Sequence, residues 1–461
     1  MERFDILVVG SGSGMSIVEG AINKGLRVAL VDKDPLGGTC LNRGCIPSKM
    51  IIYPADVVQE ARRAAVLGVK MTVDEIDFTA IMERMRGSIA HDRSQMEHSV
   101  KQVKNLAYFS DKGEFVSDYT MNVGGETIEA KNIFLVSGAR PDIPPIKGIE
   151  AVDYLTYRNV FDLQAAPRSM IIAGGGYIAC ELAHFFNTVG VEVTIVSRSP
   201  TLLRYTEPEI SETLTQLLRS RMNILTSATA IGVKQAGTLK EVTIIDAKGA
   251  EKTIEAETFL IAAGLRGNAD LLETEKTGVP ADARGYIKVN EFFETSKPRI
   301  WAFGDAIGRA MFKHVANREA ELVWHAFDHG HRQSLDFDKV PYAIFSWPQV
   351  AGVGITEEEA TRRGLKYLVG VYAYGGTAYG SAMGEKDGFV KLIVEEETYR
   401  ILGCHIIGPQ AAILVQEVVT AMNAGDGAIY PLVDAIHIHP ALSEVVQRCV
   451  EHLQKPGNIH T

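Results

Sequence analysis

Short apolar runs that end in glycine set the plan of this chain. Asp5-Ile6-Leu7-Val8-Val9 leads straight into Gly10-Ser11-Gly12-Ser13-Gly14, and a second run, Val28-Ala29-Leu30-Val31, ends at Asp32. An unbroken apolar run this short, with glycine behind it, reads as a buried parallel strand that turns into a helix. The device returns at Met170-Ile171-Ile172-Ala173, which runs into Gly174-Gly175-Gly176-Tyr177-Ile178-Ala179 and is followed by Val193-Thr194-Ile195-Val196. Between the two, residues 50–108 read as helical, with Ala-, Glu- and Arg-rich stretches such as Ala55 to Ala65. A strand-rich segment follows and ends at Ile133-Phe134-Leu135-Val136-Ser137-Gly138. Pro141-Asp142-Ile143-Pro144-Pro145 then reads as a linker. Arg299-Ile300-Trp301-Ala302-Phe303-Gly304-Asp305 is another strand ending in Gly-Asp, and beyond about 335 strands alternate with helices without a glycine fingerprint. One long repeat stands out, the pair of glycine units, which is a domain duplication and not a solenoid. The pattern predicts an α/β protein with two Rossmann-like dinucleotide-binding domains and a C-terminal α+β domain.

The glycines say what the two units hold. Gly10 and Gly12 permit a tight turn and close backbone approach to a pyrophosphate at a helix N-terminus. Asp32, about 20 residues further on, suits an adenosine ribose. The third fingerprint position holds Met15, which predicts looser packing of helix on strand. In the second unit the strand ends not in an acid but in Ser197-Arg198, with Arg204 six residues on. Arginines there pair with a 2′-phosphate and point to NADPH over NADH. Two arginines on a solvated loop is the bland alternative.

Cys40-Leu41-Asn42-Arg43-Gly44-Cys45 carries the reactive chemistry. Its two thiols can close a small disulfide ring, with Cys40 on a glycine-bearing turn and Cys45 where a helix can start. A helix N-terminus stabilises a thiolate, so Cys45 is expected to be the more acidic sulfur. A zinc half-site would need two more ligands at short spacing. Cys180, Cys404 and Cys449 are scattered singly and read as inert packing residues, so no metal is expected.

Length suits about three domains. A net charge of −10 argues against nucleic acid and anionic membranes as partners. No apolar run approaches the ~20 residues of a membrane helix, and no basic-then-apolar leader precedes the first strand. Five cysteines do not make an extracellular scaffold, so a reducing cytoplasm is the expected compartment.

Four motifs together resemble the pyridine nucleotide–disulfide oxidoreductases, a family of flavoprotein disulfide reductases. They are G-G-T-C-L-N-x-G-C-I-P-S-K at 37–49, G-G-G-Y-I-A-x-E at 174–181, Gly304-Asp305, and His439-Pro440-Ala441-Leu442-Ser443-Glu444. The resemblance runs from Asp5 to about Val450 and implies three domains: FAD-binding at 1–145 and 265–334, NAD(P)-binding at 146–264, and a dimerisation domain at 335–461. It assigns FAD to Gly10, Ser11, Gly12, Gly14, Asp32, Gly38, Thr39, Lys49, Ser137, Gly138, Gly304 and Asp305. It assigns the pyridine nucleotide to Gly174, Gly176, Tyr177, Ile178, Glu181, Ser197, Arg198, Arg204 and Gly264. Tyr177 would swing aside when the nucleotide arrives, or simply pack at a helix start.

The resemblance also implies a mechanism. Cys40 and Cys45 are the redox disulfide, Lys49 pairs with Glu181, and His439, oriented by Glu444, is the general acid for the departing thiolate. That acid comes from the partner subunit of a homodimer, with a cis bond before Pro440, while His437 only supports structure. Lys313-His314-Val315-Ala316-Asn317 and Ala378-Tyr379-Gly380-Ser381-Ala382-Met383 are most similar to the mycothione reductases of the family. Leu265 and Gly267 depart from its usual Arg and Pro, and Arg43, where a small residue is common, could meet an anionic substrate. The expected reaction is NADPH-linked reduction of a small thiol disulfide. The alternatives are an NAD-linked dihydrolipoamide dehydrogenase and a non-catalytic flavin redox sensor.

Overall fold

A computed structural model describes residues 1–457. At the centre of the first layer β1 (Glu2–Val9) runs parallel to β2 (Val28–Val31), with β3 (Leu106–Phe109) outside it. On the other side of β1 lies Glu126–Leu135, also parallel. The far edge of that long strand is split: its first half pairs antiparallel with Thr120–Val123, and its second half parallel with Ile300–Ala302. All four residues of β2 are buried, so both faces of the strand are covered; that is why the run is apolar without alternation.

Helix α1 (Met15–Asn23) follows the first glycine turn. The looser packing expected from Met15 does not follow. A Cβ at Gly14 would lie 2.3 Å from Gly10 O and 2.8 Å from Val8 Cγ1, so the close approach is made one residue earlier and Met15 packs sideways on the core. The short α2 (Gly38–Arg43) and the long α3 (Cys45–Arg63) come next. Cys40 therefore sits within a helix and not on a turn. The helical expectation for 50–108 holds for α3 and for α4 (Phe78–Gln102), which Asp77 caps by accepting from Ala80 N at 2.9 Å. It fails at 69–77, which has no regular structure, and at 106–109. There Leu-Ala-Tyr-Phe finds backbone partners along β2 that a helix could not offer it.

A second parallel layer runs Asn223–Leu225, Glu192–Val196, Ser169–Ala173, Thr258–Ile261, beside a three-stranded antiparallel sheet over 229–256. Its first helix, α5 (Tyr177–Thr188), packs across α3. The proline-rich linker begins on a strand: Ala139–Pro141 pairs antiparallel with Leu265–Gly267, so the chain leaves and re-enters the first unit through one hydrogen-bonded ribbon. The C-terminal unit is a five-stranded antiparallel sheet with helices on it. The last four positions of the expected third domain lie outside the described residues. Among the described residues no helix is long and apolar enough to cross a membrane.

Candidate active site

A cavity of about 1870 Å³ opens where the three units meet. Its cradle is backbone. Gly10 has φ +109°, and a Cβ there would fall 2.2 Å from Val136 O; a Cβ on Gly38 would lie 2.8 Å from Gly12 Cα. Ser11 donates to Asp32 Oδ2 from its amide at 2.7 Å and its hydroxyl at 2.6 Å, and Asp34 N donates to Oδ1 at 3.0 Å, which fixes that carboxylate at the cavity edge. Thr39, Ser137 and Gly138 also line the wall, and the buried Ser137 hydroxyl has no partner within the chain. At the far end Gly304 N donates to Glu319 Oε2 at 2.6 Å, and burial pushes the neighbouring Asp305 carboxyl up to about 6 against the pull of Lys313. Glycine-lined backbone, an unpartnered buried hydroxyl and acid side chains spaced along one wall suit a long, hydroxyl- and phosphate-bearing dinucleotide.

Both thiols face this cavity. Cys40 lies inside α2, Gly44 breaks the helix, and Cys45 opens α3. The two thiols titrate as a pair, in which Cys40 is drawn down. Its hydrogen bond with Cys45, helped by Lys313 and Lys49, brings the Cys40 thiol down to about 7 although burial opposes it. The same bond and burial push the Cys45 thiol up. The helix N-terminus does favour an anion at Cys45, but two thiols this close share one proton, and a second charge beside the first is repelled.

Across the cavity Lys49 Nζ meets both carboxylate oxygens of Glu181 at 2.8 Å, joining α3 to α5. Phe345 N donates to the same carboxylate at 3.0 Å, and its ring lies 4.6 Å below the ammonium. A carboxylate this buried is tolerated because it faces a cation and both its oxygens have a donor. Tyr177 and Ile178 line the same wall; the Tyr177 ring lies 6.1 Å from Phe312, and burial holds its hydroxyl protonated.

The second glycine turn lies beyond Tyr177. Gly174 has φ +140°, with a Cβ position 2.1 Å from Ala262 O, whereas Gly176 faces open space at the N-terminus of α5. Ser197 is buried behind Gly175, and Arg198 and Arg204 are exposed. Gly264, with φ +138°, begins the return ribbon.

His439 and Glu444 are brought together but not to the thiols. His439 Nδ1 meets Glu444 Oε1 at 2.9 Å, Ala441 N donates to Oε2 at 3.1 Å, and the bond before Pro440 is cis. The imidazole is 69% exposed on the C-terminal unit and is no part of the cavity wall. Its neighbours Ile436 and Ile438 are bare to solvent. His437 is buried against Glu417, at 3.5 Å.

Arg43 does not wait for a substrate. It pairs with Asp34 at 2.9 Å beside Arg158, on the wall near Asp32. Cys180, Cys404 and Cys449 are buried, and burial pushes all three thiols up, Cys449 to about 12. Tyr374 is buried and Tyr379 exposed. Sequence reasoning missed Phe345, Glu319 and the role of Lys313, which donates to Ser13 Oγ at 3.0 Å. Only Lys313 had a signal, since it lies in a segment already singled out.

Residues 4–320 match the pyridine nucleotide-disulphide oxidoreductase family, and residues 340–450 match its dimerisation domain. The chain belongs to that family of flavin-dependent enzymes, which use a pyridine nucleotide and act on sulfur groups. It is 35% identical to a mycothione reductase of Mycobacterium tuberculosis, over 98% of this chain and 99% of the relative. It is 32% identical to a dihydrolipoyl dehydrogenase of Chlamydia muridarum, over 96% and 95%. A HOCl-induced flavoprotein disulfide reductase of Escherichia coli, RclA, solved as a Cu(II) complex, superposes with a TM-score of 0.86 at 26% identity, over 98% and 99% of the two chains.

Proposed function

We propose that this enzyme reduces the disulfide of a low-molecular-weight thiol with NADPH, through FAD and the Cys40–Cys45 pair. One observation carries the reading: both thiols share a cavity with the Lys49–Glu181 ion pair, held at 2.8 Å. FAD would lie along the first glycine cradle, with Asp32 at its adenosine ribose and Asp305 at its ribityl chain. Gly14, Gly38, Thr39, Ser137, Gly138 and Gly304 would complete its wall. When bound, FAD supplies two-electron transfer between the pyridine nucleotide and the dithiol. The nucleotide would enter past Tyr177 and Ile178 onto Gly174 and Gly176, with Ser197, Arg198 and Arg204 at its 2′-phosphate and Gly264 behind it.

The chain's own groups do the rest. The Cys40 thiolate attacks the substrate disulfide, forming a mixed disulfide and expelling one thiolate. Cys45 then attacks the Cys40 sulfur, restoring the intramolecular disulfide and expelling the second. His439, held by Glu444, protonates the first departing thiolate, then takes the Cys45 proton and passes it to the second. His439 stands outside this chain's cavity, so it would serve the cavity of a partner subunit in a homodimer, with the exposed isoleucines beside it as part of the contact. The protein would work in the cytoplasm.

Initial rates of NADPH and NADH oxidation against mycothione, bis-γ-glutamylcystine, glutathione disulfide, coenzyme A disulfide and lipoamide test this. Fast turnover with NADPH and one open-chain disulfide supports the reading and names the thiol. Preference for NADH and lipoamide replaces it with a dihydrolipoyl dehydrogenase.

A further inference from the structure

Two side-chain pairs of opposite polarity cross the seam between α3 and α5. Lys49 and Glu181 form the first. Further along both helices, Asp56 Oδ1 meets His184 Nε2 at 2.8 Å. The His184 side chain is fully buried, and neither residue lines the cavity.

The hydrogen-bond pattern fixes the state of the ring. His184 Nδ1 faces the Arg221 guanidinium and Thr188 Oγ1, each at 3.4 Å. A guanidinium has only donors, and the Thr188 oxygen already accepts from the same Arg221 at 3.1 Å. Nδ1 is therefore an acceptor, and the single ring proton lies on Nε2, donated to Asp56. Burial, with Arg221 adding to it, pushes the imidazole pKa down against the pull of Asp56. The charged groups around the pair are Arg62 on α3, Glu181 on α5 and Arg221 from the second unit; Gln59, Thr188 and Trp347 close the ring uncharged. Trp347 stacks on the imidazole at 6.2 Å, and its carbonyl accepts from Arg221 at 3.4 Å, so the C-terminal unit holds the pair from a third side.

We infer that Asp56 and His184 are positioning residues, whose hydrogen bond locks α5 against α3 and so holds Glu181 where it keeps Lys49 beside the dithiol. Lys49 is long, and its side chain is 37% exposed toward the cavity; what decides the place of its ammonium is Glu181, on the other helix. Apolar packing and the bonds from Gln59 and Arg62 to Thr188, at 2.8 and 3.2 Å, also cross the seam, but none of them orients the Glu181 end of α5 by a charged contact. The Asp56 carboxylate on His184 supplies one, and a slip of about 1 Å is enough to spoil a reacting geometry. The inference rests on the proposed reductase reaction, but thiol titration reads the lock without any substrate.

His184→Phe keeps a ring against Trp347 and removes the Nε2–H, leaving Asp56 and Arg221 without their partner. His184→Gln and Asp56→Asn each keep one donor and one acceptor. The measurement is the pH midpoint of Cys40 alkylation in the reduced holoenzyme, beside the melting temperature. His184→Phe should raise the midpoint by about half a unit, making alkylation at pH 7 roughly two-fold slower, and the two conservative variants should stay near wild type. If His184→Phe does not fold, Asp56→Ala is read in the same way. A variant that melts earlier with its midpoint unmoved would overturn the inference and leave the pair a merely structural one.

Discussion

Lys391 and Glu207 form an ion pair where the second and third units meet, Nζ to Oε1 at 2.6 Å, with each side chain 1% exposed. Glu209 and Glu357 close on the same ammonium at 2.7 and 2.6 Å. Three carboxylates so near one another call for a cation, and the lysine is that cation. Burial opposes its charge, but the three glutamates, Glu207 foremost, raise its pKa.

Lys391→Met should therefore be costly, since it leaves Glu207 buried without its counter-charge. Breaking a buried pair from one side destabilises by about 3–5 kcal/mol. Calorimetry should find this variant melting far below wild type. Glu209→Gln, on a half-exposed side chain, should change stability by less than about 1 kcal/mol.

Asp34 gives a pH signature. Burial raises its pKa, but the bonds from Arg43, Arg158 and Lys33 outweigh that and hold the carboxyl well below the usual range. A depressed folded-state pKa contributes stability that is complete above the unfolded value, near about 4, and lost as pH falls toward the folded one. The stability gap between wild type and Asp34→Asn should be constant above about pH 5 and close below about pH 4, as urea melts would show. A gap that widens on acidification contradicts this. Arg43→Ala should leave discrimination between anionic and neutral disulfides unchanged, because its guanidinium is already committed to Asp34.

His439 and Glu444 should matter to one half of the cycle only. His439→Gln is expected to slow disulfide reduction by about 10²–10⁴-fold. Anaerobic reduction of the enzyme by NADPH, followed by stopped flow, should keep its wild-type rate. Slowing of that half-reaction would place the pair elsewhere in the chemistry.

Arg198→Ala and Arg204→Ala test the nucleotide preference. Each should raise KM for NADPH by about ten-fold, the loss of one charge-assisted contact, and leave KM for NADH almost unchanged. Equal effects on both nucleotides would return these arginines to the solvated loop.

Much of this was legible from the chain because it is written in local patterns. The glycine turns, the Cys40–Cys45 spacing and the β1–α1–β2 unit all lie within short windows, where period and turn chemistry speak directly. The cis bond at Pro440 and the His439–Glu444 contact were expected from one motif and are seen. What failed depends on neighbours from afar or on coupling. Met15 seemed to break a fingerprint because the sequence does not show that Gly14 takes the close contact with Gly10. The acidity of the Cys40–Cys45 pair depends on a shared proton and on Lys313, a residue remote in sequence. Arg43 looked free until Asp34, which also holds Arg158, came to it, and Lys391 gave no sign of the three glutamates it gathers.

The double fastening of α3 to α5 bears on how the molecule breathes. These helices belong to the first and the second parallel layer, so swinging one layer away from the other would pull Lys49 off Glu181 and His184 off Asp56 together. Ligand traffic is then left to small local movements, such as rotation of the Tyr177 ring beside Phe312, and not to a hinge between the layers. With no large body to drag through solvent, turnover should be nearly indifferent to added viscogen.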